Sequence, residues 1–177
     1  MCAIEIEPVL QTRRLRLRRP RKADAPRLAE LLAEAAIARM TTSIPHPYAL
    51  ADAEAFLARA NADERCEAAF MVEHPAEGAI GLVAFDGDGP AATELGYWIG
   101  RPYWGRGFAT EAAREALVWA HRDWGRRHVR ARHFSDNPAS AEVLCKLGFL
   151  YTGEVRLTPS RARGGEPVPS RMMVWLA

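Results

Sequence analysis

The run ELGYWIGRPYWGRGFATEA, Glu94 to Ala112, limits the fold and chemistry of this chain more than any other stretch. A strand-like segment ends at Gly100, and a turn broken by Gly105 and Gly107 then feeds a strongly helical segment. Glycine leaves the backbone bare, so successive N–H groups can close around an anion, and the helix start adds a positive dipole end at the same point. The arrangement suits a pyrophosphate and so points to a phosphate-bearing cofactor. It is not a Walker loop, because no Lys-Ser/Thr pair follows the second glycine. Nor is it a dinucleotide fingerprint, because the second glycine pair and a suitably placed acidic residue are missing. Taken alone, it also fits a tight strand-to-helix turn that holds no ligand.

The flanking pattern predicts one domain over residues 1–177, long enough to bury a core. Leu15 and Leu17 alternate with Arg14, Arg16 and Arg18, which predicts a half-buried edge strand over Thr12–Arg19. Asp24 and Pro26 start a helix expected to reach Ala38. Pro45 and Pro47 make Met40–Ala51 a loop, and a second helix follows from Asp52. Ala68–Glu73, Ala79–Phe85 and Thr93–Gly100 read as strands, the last two joined by a hairpin turn at Asp86–Pro90. Ala109, Ala112, Ala113, Ala116, Leu117 and Ala120 recur at helical spacing, giving a helix from Gly107 to Arg122. A strand at His128–Phe134, a short helix from Asn137 to Gly148, and terminal strands Phe149–Val155 and Val168–Leu176 complete the order. The segment TPSRARGGEP between the terminal strands is expected to be a mobile tip. This order predicts a mixed α/β (α+β) sheet.

Composition excludes several classes. With 49% hydrophobic and 26% charged residues the chain is ordinary for a globular protein. No apolar run is long enough to span a membrane and no secretion signal is evident, so the expected compartment is the cytoplasm. Cys2, Cys66 and Cys145 are far apart and odd in number, which argues against a disulfide framework or a metal site. A net charge of +2 gives no reason to expect nucleic acid. The Arg-rich start, Arg13 to Lys22, is better explained by an exposed strand face, since it alternates with leucine.

Strand, WGRGFA, helix, strand and FSDNPASAEVLCKLGF, in that order, resemble the GNAT superfamily of acetyl-CoA-dependent N-acetyltransferases. The family's Arg/Gln-x-x-Gly-x-Gly/Ala loop falls on Trp104, Gly107 and Ala109, with Trp104 in place of the polar residue. That change, ELGYWI before it, the Asn137–Ser140–Gly148-Phe149 run after it, and the opening TRRLRLRRPRKADAPRLAELL and IPHPYALADAEAFL are similar to the RimJ/RimL branch. The resemblance covers nearly the whole chain. It implies a single-domain GNAT-like fold, with a mixed, largely antiparallel sheet of about seven strands flanked by about four helices.

The resemblance also implies a site. The backbone from Gly105 through Arg106, Gly107, Phe108 and Ala109 to Thr110 would grip the pyrophosphate of coenzyme A, with Trp104 flanking it or simply packing. Tyr97, Trp98 and Ile99 would pair with the pantetheine arm and offer an N–H to the thioester oxygen. Asn137 would lie near the pantetheine, cap a helix, or do both. Lys146 and Arg114 would meet the adenosine phosphates or remain solvated charges. The family's usual tyrosine acid is replaced here by Leu144, so Ser140 becomes the candidate proton donor, as in the RimJ/RimL branch, or is an ordinary serine of a first helical turn. Glu94 is the candidate base, directly or through water, unless an arginine holds it as an ion pair; His133 and Asp136 are weaker candidates. His46 and Tyr48 in the proline-rich loop are candidates for lining the acceptor pocket, or simply pack the loop.

The acceptor is expected to be a primary amine. A protein α-amine is unprotonated to roughly a tenth near neutrality, against well under ~0.1% of a lysine. A chain without an obvious strong base therefore favours a peptide N-terminus. A small amine such as an antibiotic, polyamine or amino acid, and a silent acyl-CoA-binding module, are the alternatives. Either a monomer or a homodimer is compatible with the sequence.

Overall fold

The computed structural model describes residues 8–61, 66–87 and 93–177. Cys2 and most of the Asp86–Pro90 turn lie outside the described residues, as does the side chain of Cys66. Among the described residues the sheet has eight strands: β1 (Leu10–Gln11), β2 (Arg16–Arg18), β3 (Cys66–His74), β4 (Gly78–Asp86), β5 (Glu94–Ile99), β6 (His128–Phe134), β7 (Leu150–Pro159) and β8 (Pro167–Leu176). Five α-helices accompany it: α1 (Ala25–Leu32), α2 (Ala35–Ala38), α3 (Leu50–Asn61), α4 (Phe108–Arg122) and α5 (Pro138–Lys146). The strand order is β1-β2-β3-β4-β5-β6-β8-β7. Every neighbouring pair is antiparallel except β5 and β6, which are parallel and joined through α4.

The period-2 alternation of the strands creates two cores. Phe70 and Val72 of β3, with Val83 and Phe85 of β4, point to the face covered by α4, where Phe108, Ala112, Ala113, Ala116, Leu117 and Ala120 meet them. Met71, Leu82 and Ala84 point to the opposite face and pack on Ala25 and Leu28 of α1 and Ala53 and Leu57 of α3. The alanine stripe lets α4 lie close to the sheet. Phe70, Phe85, Trp119 and Trp124 fill the gap where the stripe ends, with ring centroids 5.1–6.4 Å apart. Asp86 pairs with Glu94, so β4 and β5 form the expected hairpin.

The structure corrects four expectations. The edge belongs to the short β1, and β2 is flanked on both sides. Arg18 is buried rather than displayed: its guanidinium donates to both oxygens of Asp24 at 2.7 and 2.8 Å, and to Glu73 at 2.6 Å. The helix expected from Asp24 to Ala38 is two helices. Glu34 is extended at the break, where its carboxylate accepts from the Ala36 N–H and pairs with Arg101 at 3.0 Å. Tertiary contact outweighs the helical propensity of the alanines there. The added β1 and the divided helix bring the counts to eight strands and five helices among the described residues. Finally, the tip between β7 and β8 is anchored. Fully buried Ser160 donates to the Thr41 carbonyl at 2.9 Å, the Arg161 N–H donates to Thr42, and Arg163 donates to the Arg39 carbonyl at 2.9 Å and to both oxygens of Asp136.

Candidate active site

The sheet opens at one seam. β4 and β5 stay in register over six residue pairs, from Gly81–Ile99 to Asp86–Glu94. β5 and β6 share only the pair Glu94–Arg130, beside which the Arg130 N–H donates to the Thr93 carbonyl at 2.8 Å. Beyond that point, among the described residues, β5 has no strand partner on its β6 side, while β6 continues with β8. Alternate main-chain groups of Tyr97, Trp98 and Ile99 therefore face a gap instead of a strand. The end of β5 is fixed: the Gly100 N–H donates to Ile80, and the Trp104 indole N–H donates to the Ile99 carbonyl at 2.6 Å. Trp104 thus secures the turn with its nitrogen while half of its surface stays exposed.

The gap leads into the glycine turn. Gly105 and Gly107 have φ of +73° and +77°, left-handed values that glycine adopts without strain. Gly107 is the N-cap of α4 and has no side chain to satisfy the helix's first amides. Among the described residues no N–H from Gly105 to Thr110 has a protein acceptor, so the start of the helix presents a run of open donors. Phe108 contributes only its backbone, because its ring is buried beneath the guanidinium groups of Arg14 and Arg106, 4.5 and 4.7 Å from its centroid. Ala109 packs at the edge of the α4 core.

An open groove of about 520 Å³ adjoins these amides, lined by Thr12, Arg13, Gly107, Thr110, Glu111, Arg114, Glu115 and Lys146. Glu111 offers little repulsion to an anion. It accepts from Thr12 Oγ1 at 2.6 Å and from the backbone and guanidinium of Arg14 at 2.6–2.9 Å. Burial pushes its carboxyl up, but those bonds outweigh burial and hold it below the usual range. Arg114 donates to the Lys146 carbonyl at 3.0 Å, and the Lys146 ammonium pairs with exposed Glu142 at 2.6 Å. The donor set and the open amides fit a polyphosphate.

Across the gap, β5 meets the first turn of α5. The Tyr97 hydroxyl lies 2.9 Å from Ser140 Oγ and 3.2 Å from the Ser140 carbonyl. The Asn137 side chain accepts the Ser140 N–H at 3.1 Å, so it caps α5 as the sequence allowed. Burial pushes the Tyr97 phenol up to about 12, and its bond with Ser140 only partly offsets that. The sequence nominated Tyr97 for its main chain alone. Its hydroxyl was not anticipated, although the alternation Leu95–Tyr97–Ile99 assigns it to the face that carries α5.

Glu94 sits at the root of the gap with its carboxylate on Arg132, 2.6 Å from Nε, which is the ion pair named as its structural alternative. His133 is buried, with Nδ1 2.9 Å from the Phe134 carbonyl and Nε2 3.0 Å from the Tyr151 hydroxyl, so both nitrogens serve the fold. Asp136 is bound by Arg163, which holds its carboxyl below the usual range. His46 is exposed on the proline-rich loop, while Tyr48 packs on the α1–α3 core, where burial pushes its phenol up to about 12. Neither makes a hydrogen bond to Glu94 or Ser140. Cys145 is exposed and free. Among the described residues no cluster of three or more His, Cys, Asp or Glu is arranged to hold a metal ion. None of the described helices is long and apolar enough to cross a membrane.

Residues 14–150 match the acetyltransferase (GNAT) domain model. Curated relatives include an uncharacterized N-acetyltransferase p20 of Bacillus licheniformis, 32% identical over 63 residues, which are 36% of this chain and 35% of that protein. The uncharacterized protein YkkB of Bacillus subtilis (strain 168) is 32% identical over 79 residues, 45% of this chain and 46% of that protein. The chain thus matches less than half the length of these relatives. Similar solved structures include an acetyltransferase (GNAT family) from Bacillus anthracis, with TM-score 0.82 at 19% identity, covering 96% of this chain and 98% of that one. The microcin C7 self immunity acetyltransferase MccE, solved with acetyl-CoA and AMP, has TM-score 0.79 at 18% identity and 94% coverage of both chains. RimL, the ribosomal L7/L12 α-N-protein acetyltransferase solved with coenzyme A, has TM-score 0.81 at 15% identity, covering 96% of this chain and 98% of that one.

Proposed function

This chain belongs to the GNAT family of acetyltransferases, and from that premise we propose that it acetylates a primary amine with acetyl-CoA, by direct attack of the amine on the thioester. The observation that carries the proposal is the seam between β5 and β6, which among the described residues is open beyond the Glu94–Arg130 pair and ends in the Gly105–Thr110 amides, which have no protein acceptor. Acetyl-CoA would supply an activated acetyl group. The Gly105–Thr110 amides and the positive end of α4 would hold its diphosphate, with Arg13, Arg114 and Lys146 nearby. Tyr97–Ile99 would offer main-chain hydrogen bonds to its extended arm, and an N–H there would stabilise developing negative charge on the thioester oxygen, an effect of ~3 kcal/mol.

Two protons must move as the N–C bond forms and the C–S bond breaks. The amine nitrogen loses one, and the sulfur gains one. Ser140 Oγ is the donor to sulfur, and water replaces the proton it gives. Glu94, tied to Arg132, takes the amine proton through water rather than by direct contact. A base held in this way suits an acceptor that needs little deprotonation. An α-amine, with its ordinary pKa near ~8, meets that requirement better than a lysine near ~10.4. The proposed acceptor is therefore a protein or peptide N-terminus.

Calorimetry with acetyl-CoA followed by thiol-release assays tests both levels. Peptides with a free N-terminus should be turned over faster than the same peptides blocked at the N-terminus but carrying lysine. Tight binding of acetyl-CoA with no thiol release over any amine would replace the proposal with a silent acyl-CoA-binding module.

A further inference from the structure

The contact that bridges the open seam is made by two hydroxyl groups, and they do not have equal roles. Tyr97 stands on β5 and Ser140 on α5, and their oxygens are 2.9 Å apart. A serine hydroxyl has one hydrogen and two lone pairs. If Ser140 Oγ donates to Tyr97, its hydrogen is spent inside the protein. If Tyr97 donates to Oγ, the serine hydrogen is free to point into the seam. The Ser140 carbonyl, 3.2 Å from the phenol, offers Tyr97 a competing acceptor. The Asn137 cap holds the Ser140 backbone but leaves the hydroxyl free to rotate.

We infer that Tyr97 is a positioning residue for Ser140: its phenol donates to Ser140 Oγ and so directs the serine hydrogen toward the cofactor's sulfur. Burial keeps the phenol protonated across the working pH range, so it remains a donor throughout. The inference rests on the acetyl-CoA reading above and adds to it a residue whose side chain that reading leaves unused. Tyr97 stays protonated throughout and supplies direction rather than the transferred proton.

The test uses the full chain with Tyr97→Phe, Ser140→Ala, Ser140→Thr and the Tyr97→Phe/Ser140→Ala double variant, each checked for folding by circular dichroism. The first readout is binding alone: calorimetric affinity for coenzyme A against desulfo-coenzyme A, from neutral pH to the range where the thiol ionises. The wild type should favour the sulfur-bearing form increasingly as pH rises, by about tenfold for a hydrogen bond to a charged partner. Tyr97→Phe and Ser140→Ala should both lose that gain, and Ser140→Thr should keep most of it. The second readout is turnover. Tyr97→Phe should lower kcat about tenfold with KM for acetyl-CoA within about twofold, and the double variant should be no worse than Ser140→Ala, because the two groups act as one unit.

Full sulfur preference in Tyr97→Phe, or losses that multiply in the double variant, would overturn the inference while the acetyl-CoA reading stands. A wild type that binds no acetyl-CoA would overturn that reading, and the inference with it.

Discussion

Two places in this molecule gather strong hydrogen-bonding groups, and they treat them in opposite ways. Around Arg18 every strong group is answered: Asp24 and Glu73 take the guanidinium, and Asp24 also accepts the Arg21 N–H at 2.7 Å. Arg18 and Asp24 are almost wholly buried and Glu73 partly so, and together they tie β2, β3 and the start of α1. From Gly105 to Thr110 a row of amides beside an open groove has no protein acceptor among the described residues. A closed network has nothing left to offer a ligand, and breaking it exposes a buried charge. An open row adds little to the fold but binds what arrives. The first should govern stability without affecting binding, and the second the reverse.

The largest effect should come from the closed network. Asp24→Ala leaves Arg18 buried without its bidentate partner and is expected to cost about 3–5 kcal/mol in urea unfolding. The folded fraction should bind acetyl-CoA with unchanged affinity by calorimetry, and a matching loss of affinity would erase the contrast. Next, Gly107→Glu adds bulk, a like charge and a strained left-handed φ where the diphosphate would sit, and should weaken acetyl-CoA binding about a hundredfold in a folded protein. Gly107→Asn, which tolerates that φ, should stay within a few-fold of wild type. Equal losses in both variants would mean that backbone shape rather than charge sets affinity.

Acid should also separate the two regions. Burial raises the Asp24 carboxyl, but Arg18 and the Arg21 backbone outweigh it and hold it below its ordinary value near ~3.9. The folded state therefore takes up a proton at Asp24 less readily than the unfolded chain. The stabilisation is complete above about pH 4 and is lost as pH falls through the lower folded value. Urea midpoints from pH 7 to 3 should drop for the wild type, and should start lower and fall less steeply for Asp24→Asn. The smallest effect is expected from Lys146→Ala, whose ammonium is exposed and shared with Glu142. Acetyl-CoA affinity should fall no more than about threefold, with most of that loss suppressed in high salt.

Much of this contrast was legible in the sequence, and the illegible parts have physical causes. The order of elements, the α4 stripe and the bare loop followed from periodicity and glycine placement, which are local signals. Arg18 was misplaced because alternation locates a side chain on a face but does not reveal the carboxylates that neutralise it from residues 24 and 73. The break at Glu34 was hidden because alanine propensity is local, while the Arg101 contact is long-range. Arg132 and the Tyr97 hydroxyl were missed for the same reason. Their partners, Glu94 and Ser140, lie 38 and 43 residues away in the chain. The open seam itself leaves no mark in either strand, since each reads as an ordinary strand and only their divergence creates the gap.

The fastening of Ser160 to Thr41 spans 119 positions of the chain. A ribosome releases the proline-rich loop long before it makes the tip that pins it. Until that tip emerges, the stretch from Arg39 to Ser43 has no acceptors or donors from Ser160, Arg161 and Arg163 to define its shape. Gly107 and α4 come from the middle of the chain and precede that event. During synthesis, the side of the molecule beside the proline-rich loop therefore takes its final form only after the glycine turn and α4 have been made.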